Sequence, residues 1–214
     1  AYAPHHLCDL KALDVDKYLF SLYKVFGPHQ GLLSVRSDLA ESLSAQCHFF
    51  NVGDVRKHFN PAGPQHAQVA GCAGVLDYFD ALYQQHDGPY SASDNDKLQY
   101  LHTLISEHEA SLAGPLLDYL HDSPQVRLLG KTHVRAGDRA ATIAFEPLTQ
   151  SASAIAAALQ GLGIGTEYGH FYAYRALENL GIEPGAGVVR LSLVHYNTSA
   201  DVQKILAALD TVLA

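Results

Sequence analysis

The residues best placed for chemistry lie near the start of the chain, in Asp16-Lys17-Tyr18-Leu19-Phe20-Ser21-Leu22-Tyr23-Lys24-Val25-Phe26-Gly27-Pro28. A lysine that follows a short apolar run and precedes a Gly-Pro turn falls at the carboxyl end of a strand, where open α/β sheets place ligands. Desolvation or a nearby cation at such a place disfavours the ammonium and frees a neutral amine, which can form a Schiff base with an aldehyde. Ser21, earlier in the same run, carries a hydroxyl able to donate to a phosphate oxygen. Spacing alone also fits a lysine whose stem snorkels along apolar surface at a strand end, and favours it.

Other patterns do not complete a motif. Leu129-Gly130-Lys131-Thr132 ends like a phosphate-binding loop, but Gln125 stands where the first glycine belongs, so the backbone cradle is missing. His108-Glu109 begins like a zinc motif, but Leu112 occupies the second histidine position. Gly161-Leu162-Gly163-Ile164-Gly165 lacks the third glycine of a dinucleotide fingerprint and reads as a helix C-cap. The 13 histidines are scattered, and no metal role is expected of them.

Elements must hold these residues in place. Residues 18–22 read as a strand buried on both faces, and Gly31–Val35 as a second. Two strands cannot complete a doubly wound sheet. The opening therefore reads as the end of a larger domain whose beginning is missing, and a truncated chain is expected from the absence of Met and the start at Ala1. A loop with Asn60-Pro61-Ala62-Gly63-Pro64 at its tip leads to a helix over 65–83, stopped by Asp87-Gly88-Pro89. From Asp94 a helical face carries Leu98, Leu101, Ile105 and Leu112, and Gly114-Pro115 is expected to kink or split it. Strands follow at Val126–Leu129, 141–145 and 188–194, with helices over 154–160 and 201–213. The last helix opens on a capping-box pattern, Thr198-Ser199-Ala200-Asp201, and buries a stripe of Val202, Ile205, Leu206, Leu209 and Leu213.

Composition sets the class. A hydrophobic fraction of 48% and a charged fraction of 17% are those of a globular protein. The net charge of -8 argues against nucleic acid, which is bound through Lys and Arg. No run approaches the roughly 18 apolar residues of a membrane helix, and no secretory signal pattern is visible. Cys8, Cys47 and Cys72 form no CxxC pair and read as free thiols of a reducing cytoplasm, not as a disulfide frame or zinc site.

The segment around Lys24 resembles the lysine motif of the class V aminotransferases and cysteine desulfurases, the fold-type I pyridoxal-phosphate (PLP) enzymes, in which a strand ending Ser-x-His-Lys precedes a Gly-Pro turn. The resemblance implies that Lys24 is the Schiff-base lysine and Ser21 a contact to the cofactor phosphate. Tyr23 replaces the family's histidine, another phosphate contact, with a hydroxyl that is also able to donate. Ala62-Gly63-Pro64-Gln65 is similar to the loop that reaches the cofactor phosphate across the family's dimer, and Gly63, at the threonine position, leaves only backbone amides for that task. Residues 105–112, with His108-Glu109, resemble the helix that opens the family's small domain. Val189-Arg190-Leu191-Ser192, followed by Tyr196-Asn197-Thr198, looks like the C-terminal signature whose arginine, here Arg190, grips the substrate α-carboxylate through two parallel hydrogen bonds. Gly169-His170-Phe171-Tyr172-Ala173 resembles the loop of the desulfurase nucleophile, which makes His170 and Tyr172 substrate-side candidates. Tyr172 stands at the cysteine position, and a phenol cannot accept sulfur as a persulfide, which speaks against desulfurase chemistry by that route.

The resemblance thus implies an α/β fold, with part of a PLP-dependent transferase-like large domain over residues 1–83 and a small α+β C-terminal domain over 84–214. It further implies a homodimer acting on a small amino-acid substrate, to which the thiols, the net charge and the lack of a long apolar run add a cytoplasmic place with no nucleic-acid or membrane partner. Transaminase, racemase or lyase chemistry is expected, with PLP as electron sink. The family's aspartate for the pyridinium nitrogen, its ring-stacking aromatic and its main phosphate loop have no counterpart in these residues. The rival expectation is therefore an inactive remnant that only folds and associates.

Overall fold

In the computed structural model, which describes residues 1–6, 8–60, 62–86 and 92–214, the chain divides into two compact units, Ala1–His102 and Thr103–Ala214. In the first unit, Lys17–Ser21 (β1) pairs antiparallel with Gly31–Val35 (β2), Lys17 opposite Val35 and Ser21 opposite Gly31. A 3-10 turn over Leu22–Val25 leaves β1, burying Leu22 and Val25. The hairpin stands as a two-stranded sheet, and Leu19 is 74% exposed where the apolar run predicts a strand covered on both faces. An apolar run reports what a strand can bury, not whether a neighbour is present to bury it.

Ser37–Ser42 (α1), His66–Gly71 (α2) and Ala73–Gln85 (α3) follow. The single helix expected over 65–83 is two, parted at Cys72. There the Cys72 thiol donates to the Gln68 carbonyl at 3.2 Å, and the backbone tightens, with Cys72 N–H donating to Val69 and Val75 N–H to Cys72, both at 3.1 Å. Gly71 and Gly74 flank the joint, each costing a helix about 1 kcal/mol relative to Ala. α3 buries Val75, Phe79 and Tyr83 on one stripe. Pro61 of the expected loop tip and the Asp87-Gly88-Pro89 stop lie outside the described residues.

Asp94–Asp122 (α4) is one 29-residue helix. It opens on reciprocal bonds: Asp96 N–H donates to Ser93 Oγ at 3.2 Å, and Ser93 N–H to Asp96 Oδ2 at 3.3 Å. The helix continues through Pro115, where a kink or split is expected. Leu112, Ala113, Leu116, Leu117 and Leu120, all 3% exposed or less, hold both sides of the proline in one core. Their burial, roughly 1.5–3 kcal/mol per large side chain, outweighs the ~3 kcal/mol a helix loses at an interior proline.

The second unit contains Val126–Leu129 (β3), Thr142–Pro147 (β4), Ala152–Gly161 (α5), Glu167–Gly169 (β5), Tyr174–Asn179 (α6), Val188–Ser192 (β6) and Ser199–Val212 (α7). The strands form an antiparallel sheet in the order β3-β4-β6-β5. Ile143 and Phe145 alternate inward from β4, and Val189 and Leu191 from β6. Against them pack Ile155 and Leu159 of α5 and Val202, Ile205 and Leu209 of α7, in one core. Thr198 caps α7 in a complete box, Asp201 N–H donating to Thr198 Oγ1 at 3.3 Å and Thr198 N–H to Asp201 Oδ2 at 2.9 Å. Thr198→Ala is expected to cost about 1 kcal/mol. Urea denaturation followed by circular dichroism checks this, and an unchanged midpoint would show the box to be idle. No helix among the described residues is long and apolar enough to cross a membrane.

Candidate active site

The turn that ends β1 presents Lys24. Leu22 and Val25 anchor it from below, and Phe26 closes it in the left-handed region at φ 62. Gly27 has no room for a side chain: a Cβ there would lie 2.7 Å from Val75 Cγ2 and 3.0 Å from the Leu22 carbonyl oxygen. The glycine of the Gly-Pro step thus lets the turn close on α3. Tyr23 and Lys24 are left exposed, with Lys24 Nζ 5.6 Å from the Tyr23 ring centroid. The Tyr23 ring stacks in turn on His29, 4.8 Å away and 11° from parallel.

Lys24, like Lys11 and Lys17, makes no ion pair among the described residues. Lys97 pairs with Asp80 at 3.0 Å, and Lys131 pairs with Asp138, whereas Lys24 has no carboxylate partner among the described residues. Ser21 stands at the N-cap of the turn without using its side chain there. An amine without an ion-pair partner on the same turn as Ser21 and Tyr23 offers the group types that a cofactor with an aldehyde and a phosphate needs. Gly63 lies exposed before α2, and a Cβ on it would meet nothing within 4 Å among the described residues.

Arg190 occupies β6, opposite Ala144 of β4 and Glu167 of β5. The Thr166 hydroxyl donates to its carbonyl at 2.8 Å. Its guanidinium is half-buried, with Cζ 3.9 Å from the Phe171 ring centroid, and burial holds it below the ordinary arginine value. No carboxylate among the described residues pairs with it. A desolvated guanidinium without an acid is a ready partner for an anion.

The loop between β5 and α6 carries the other candidates. Phe171 and Tyr172 sit at φ 48 and φ 62, and left-handed backbone costs a non-glycine residue roughly 1–2 kcal/mol. The loop is held by Tyr172 N–H donating to His170 Nδ1 at 3.2 Å and Ala173 N–H donating to the His170 carbonyl at 2.7 Å. His170 is exposed, and Tyr172 is 100% exposed. Beneath the loop Gly187, at φ 67, meets Gly169 so closely that a Cβ on it would lie 2.5 Å from Gly169 Cα. His108, from the family-like helix segment, meets the family-like C-terminal segment, its Nε2 2.9 Å from the Asn197 carbonyl oxygen. Sequence reasoning misses the Phe171 stack and the Gly187 contact. The glycines of Gly185-Ala186-Gly187 before an apolar strand are the one local signal for the latter.

The incomplete motifs have ordinary structural roles. Gly130 takes φ 84 in a turn, Gly163 closes α5 at φ 79, and Glu109 is buried in α4. No group of three or more metal-ligating side chains gathers among the described residues. Cys8, Cys47 and Cys72 are free thiols, and none lies in the 169–173 loop.

Residues 1–205 match the family model described as aminotransferase class-V. The chain belongs to that family. It is 33% identical over 214 residues to the aminotransferase-like protein FGM3 of Gibberella zeae, covering 100% of this chain and 50% of that protein. It is 31% identical over 218 residues to a probable cysteine desulfurase of Pseudomonas putida, covering 96% of this chain and 48% of the relative. Among solved structures it resembles the cysteine desulfurase of Thermococcus onnurineus with a TM-score of 0.76 at 19% identity, over 99% of this chain and 50% of that one. The chain therefore spans about half the length of these relatives. As a member of that family it has the α/β architecture of the fold-type I transferases, and the family implies a PLP-binding site.

These relatives correct the functional expectation drawn from Tyr172. Several similar proteins are named cysteine desulfurases, so desulfurase chemistry is not set aside, and the preference for transaminase, racemase or lyase chemistry, with an inactive remnant as its rival, gives way. The physical error lay in scope. A phenol at position 172 removes one sulfur acceptor, whereas breaking a carbon–sulfur bond depends on the cofactor and on the groups that hold the amino acid.

Proposed function

We propose that this chain carries amino-acid-binding and cofactor-binding residues of a PLP-dependent enzyme of the cysteine-desulfurase type. The observation that carries the reading is Lys24 on the turn that ends β1, with Ser21 and Tyr23 on that same turn and their hydroxyls uncommitted among the described residues. The Pseudomonas putida relative supports the choice of reaction. When bound, PLP supplies the electron sink that lets bonds at the amino-acid carbons ionise. Lys24 holds the cofactor's aldehyde and takes the substrate α-proton on Nζ. Ser21, Tyr23 and the Gly63 backbone amides donate to the phosphate. Arg190 binds the α-carboxylate through its parallel N–H groups, and His170 lies on the substrate side.

Tyr172 accepts no sulfur, so the acceptor is an added thiol. The carbon–sulfur bond of cysteine breaks, the β-carbon takes a proton, and RSH becomes RSSH, which a second thiol reduces to sulfide and disulfide. The family resemblance also supports a homodimer, measurable by sedimentation. The enzyme that carries these residues, supplied with PLP, L-cysteine and dithiothreitol, is expected to release alanine and sulfide in equal amounts, well above free PLP. Arg190→Gln is expected to raise KM on the order of 10–100-fold, the worth of lost charge-assisted hydrogen bonds. Product formation no faster than free PLP, with and without the thiol, would sink the proposal.

A further inference from the structure

We propose that Phe171 is a positioning residue, whose ring fixes the Arg190 guanidinium while leaving its N–H donors free for an incoming carboxylate. This rests on the reading of Arg190 as the carboxylate-binding residue. An arginine can be fixed in two ways. A carboxylate fixes it by occupying its donors and neutralising its charge, which would quench an anion site. An aromatic face fixes it by attraction to the ring quadrupole and takes no donor in return. Here the second arrangement is built, with Arg190 Cζ 3.9 Å from the Phe171 centroid and no acid on the guanidinium among the described residues.

The ring is itself held. It packs on the small cluster of Leu177, Ile182 and Val188, so it cannot swing away without exposing apolar surface. Its backbone sits at φ 48 and the next residue at φ 62, and strained backbone persists where the surroundings over-determine it. Those surroundings are the Tyr172 N–H bond to His170 Nδ1 and the Gly169–Gly187 approach. Partial burial of the guanidinium strengthens both the ring contact and any later carboxylate pair. A phenylalanine that served only to fill space would need neither the left-handed backbone nor a cation over its face.

The test is a titration of the chain with L-alanine, followed at the Phe171 amide by NMR, for wild type, Phe171→Leu, Phe171→Tyr and Arg190→Gln. Phe171→Leu is expected to weaken binding roughly fivefold, and Phe171→Tyr to restore it, because tyrosine keeps the π face. Binding by Phe171→Leu as tight as wild type, with Arg190→Gln inert, would overturn the positioning role and leave the reading of Arg190 standing. Equal weakening in the Leu and Tyr variants would reduce Phe171 to packing and also overturn it. Undiminished binding by Arg190→Gln would overturn both. Should Phe171→Leu fail to fold, the wild-type spectrum decides: the Arg190 δ-methylene protons are expected to show an upfield ring-current shift, and its absence would remove the stack.

Discussion

Replacing Lys24 by Ala is expected to abolish the one specific PLP adduct of this chain. Mixed with PLP and reduced with borohydride, the wild-type protein should carry its label at Lys24, and peptide mapping of Lys24→Ala should find no replacement site. The reason is competition for a neutral amine. The hydrogen bond from Lys97 to Asp80 raises the Lys97 ammonium above its ordinary value, and Lys131 is tied to the Asp138 carboxylate. The Lys97 pair withholds the lone pair that an aldehyde needs, whereas Lys24 has no such partner among the described residues. The Ser21 and Tyr23 hydroxyls add phosphate donors at the same turn, which raises occupancy there alone. Lys24→Arg keeps the charge and should lose the label as completely. A label spread over Lys11, Lys17 and other surface lysines, or one unchanged in Lys24→Ala, would remove Lys24 from the site.

Gly187→Ala is expected to destabilise the second unit by about 2–5 kcal/mol, the sum of a left-handed alanine at roughly 1–2 and overpacking at roughly 1–3. Its Cβ would come within 2.5 Å of Gly169 Cα and 2.8 Å of Gly169 C. Both are backbone atoms that no rotamer change can move aside. Relief requires the loop to lift from β6, which carries Phe171 away from Arg190, so the variant should also lose ring-current shifts on Arg190. Gly63→Ala is the control, because a Cβ there meets nothing within 4 Å among the described residues, and a change within about 0.5 kcal/mol is expected. Urea denaturation measures both. A loss below about 1 kcal/mol for Gly187→Ala would mean that the loop is free to shift, and that the Gly169–Gly187 approach does not hold the Phe171 stack.

What the sequence determined by itself lies where neighbours along the chain decide the outcome. The β1 and β2 runs, β3, and the stripe of α7 follow from alternation or helical spacing. The Thr198–Asp201 box was legible because its partners are three residues apart. The lysine segment and the C-terminal signature were legible as motifs, which carries the family across residues 1–205. Residue type at position 172 was legible too, but it spoke only to one sulfur acceptor and not to the reaction.

Tertiary structure decided the rest, because it depends on which surfaces meet. An apolar β1 can be exposed at Leu19, since burial needs a neighbour and not only a pattern. Pro115 stays within α4 because a core holds both of its sides, a gain that local propensity cannot count. The short β5 and α6 carry too few residues for a period to show. The Phe171–Arg190 stack and the Gly169–Gly187 approach arise because the sheet sets β5 directly beside β6. No local rule brings a loop aromatic over a strand arginine. That is done by strand order, and strand order is fixed by the shared core beneath it.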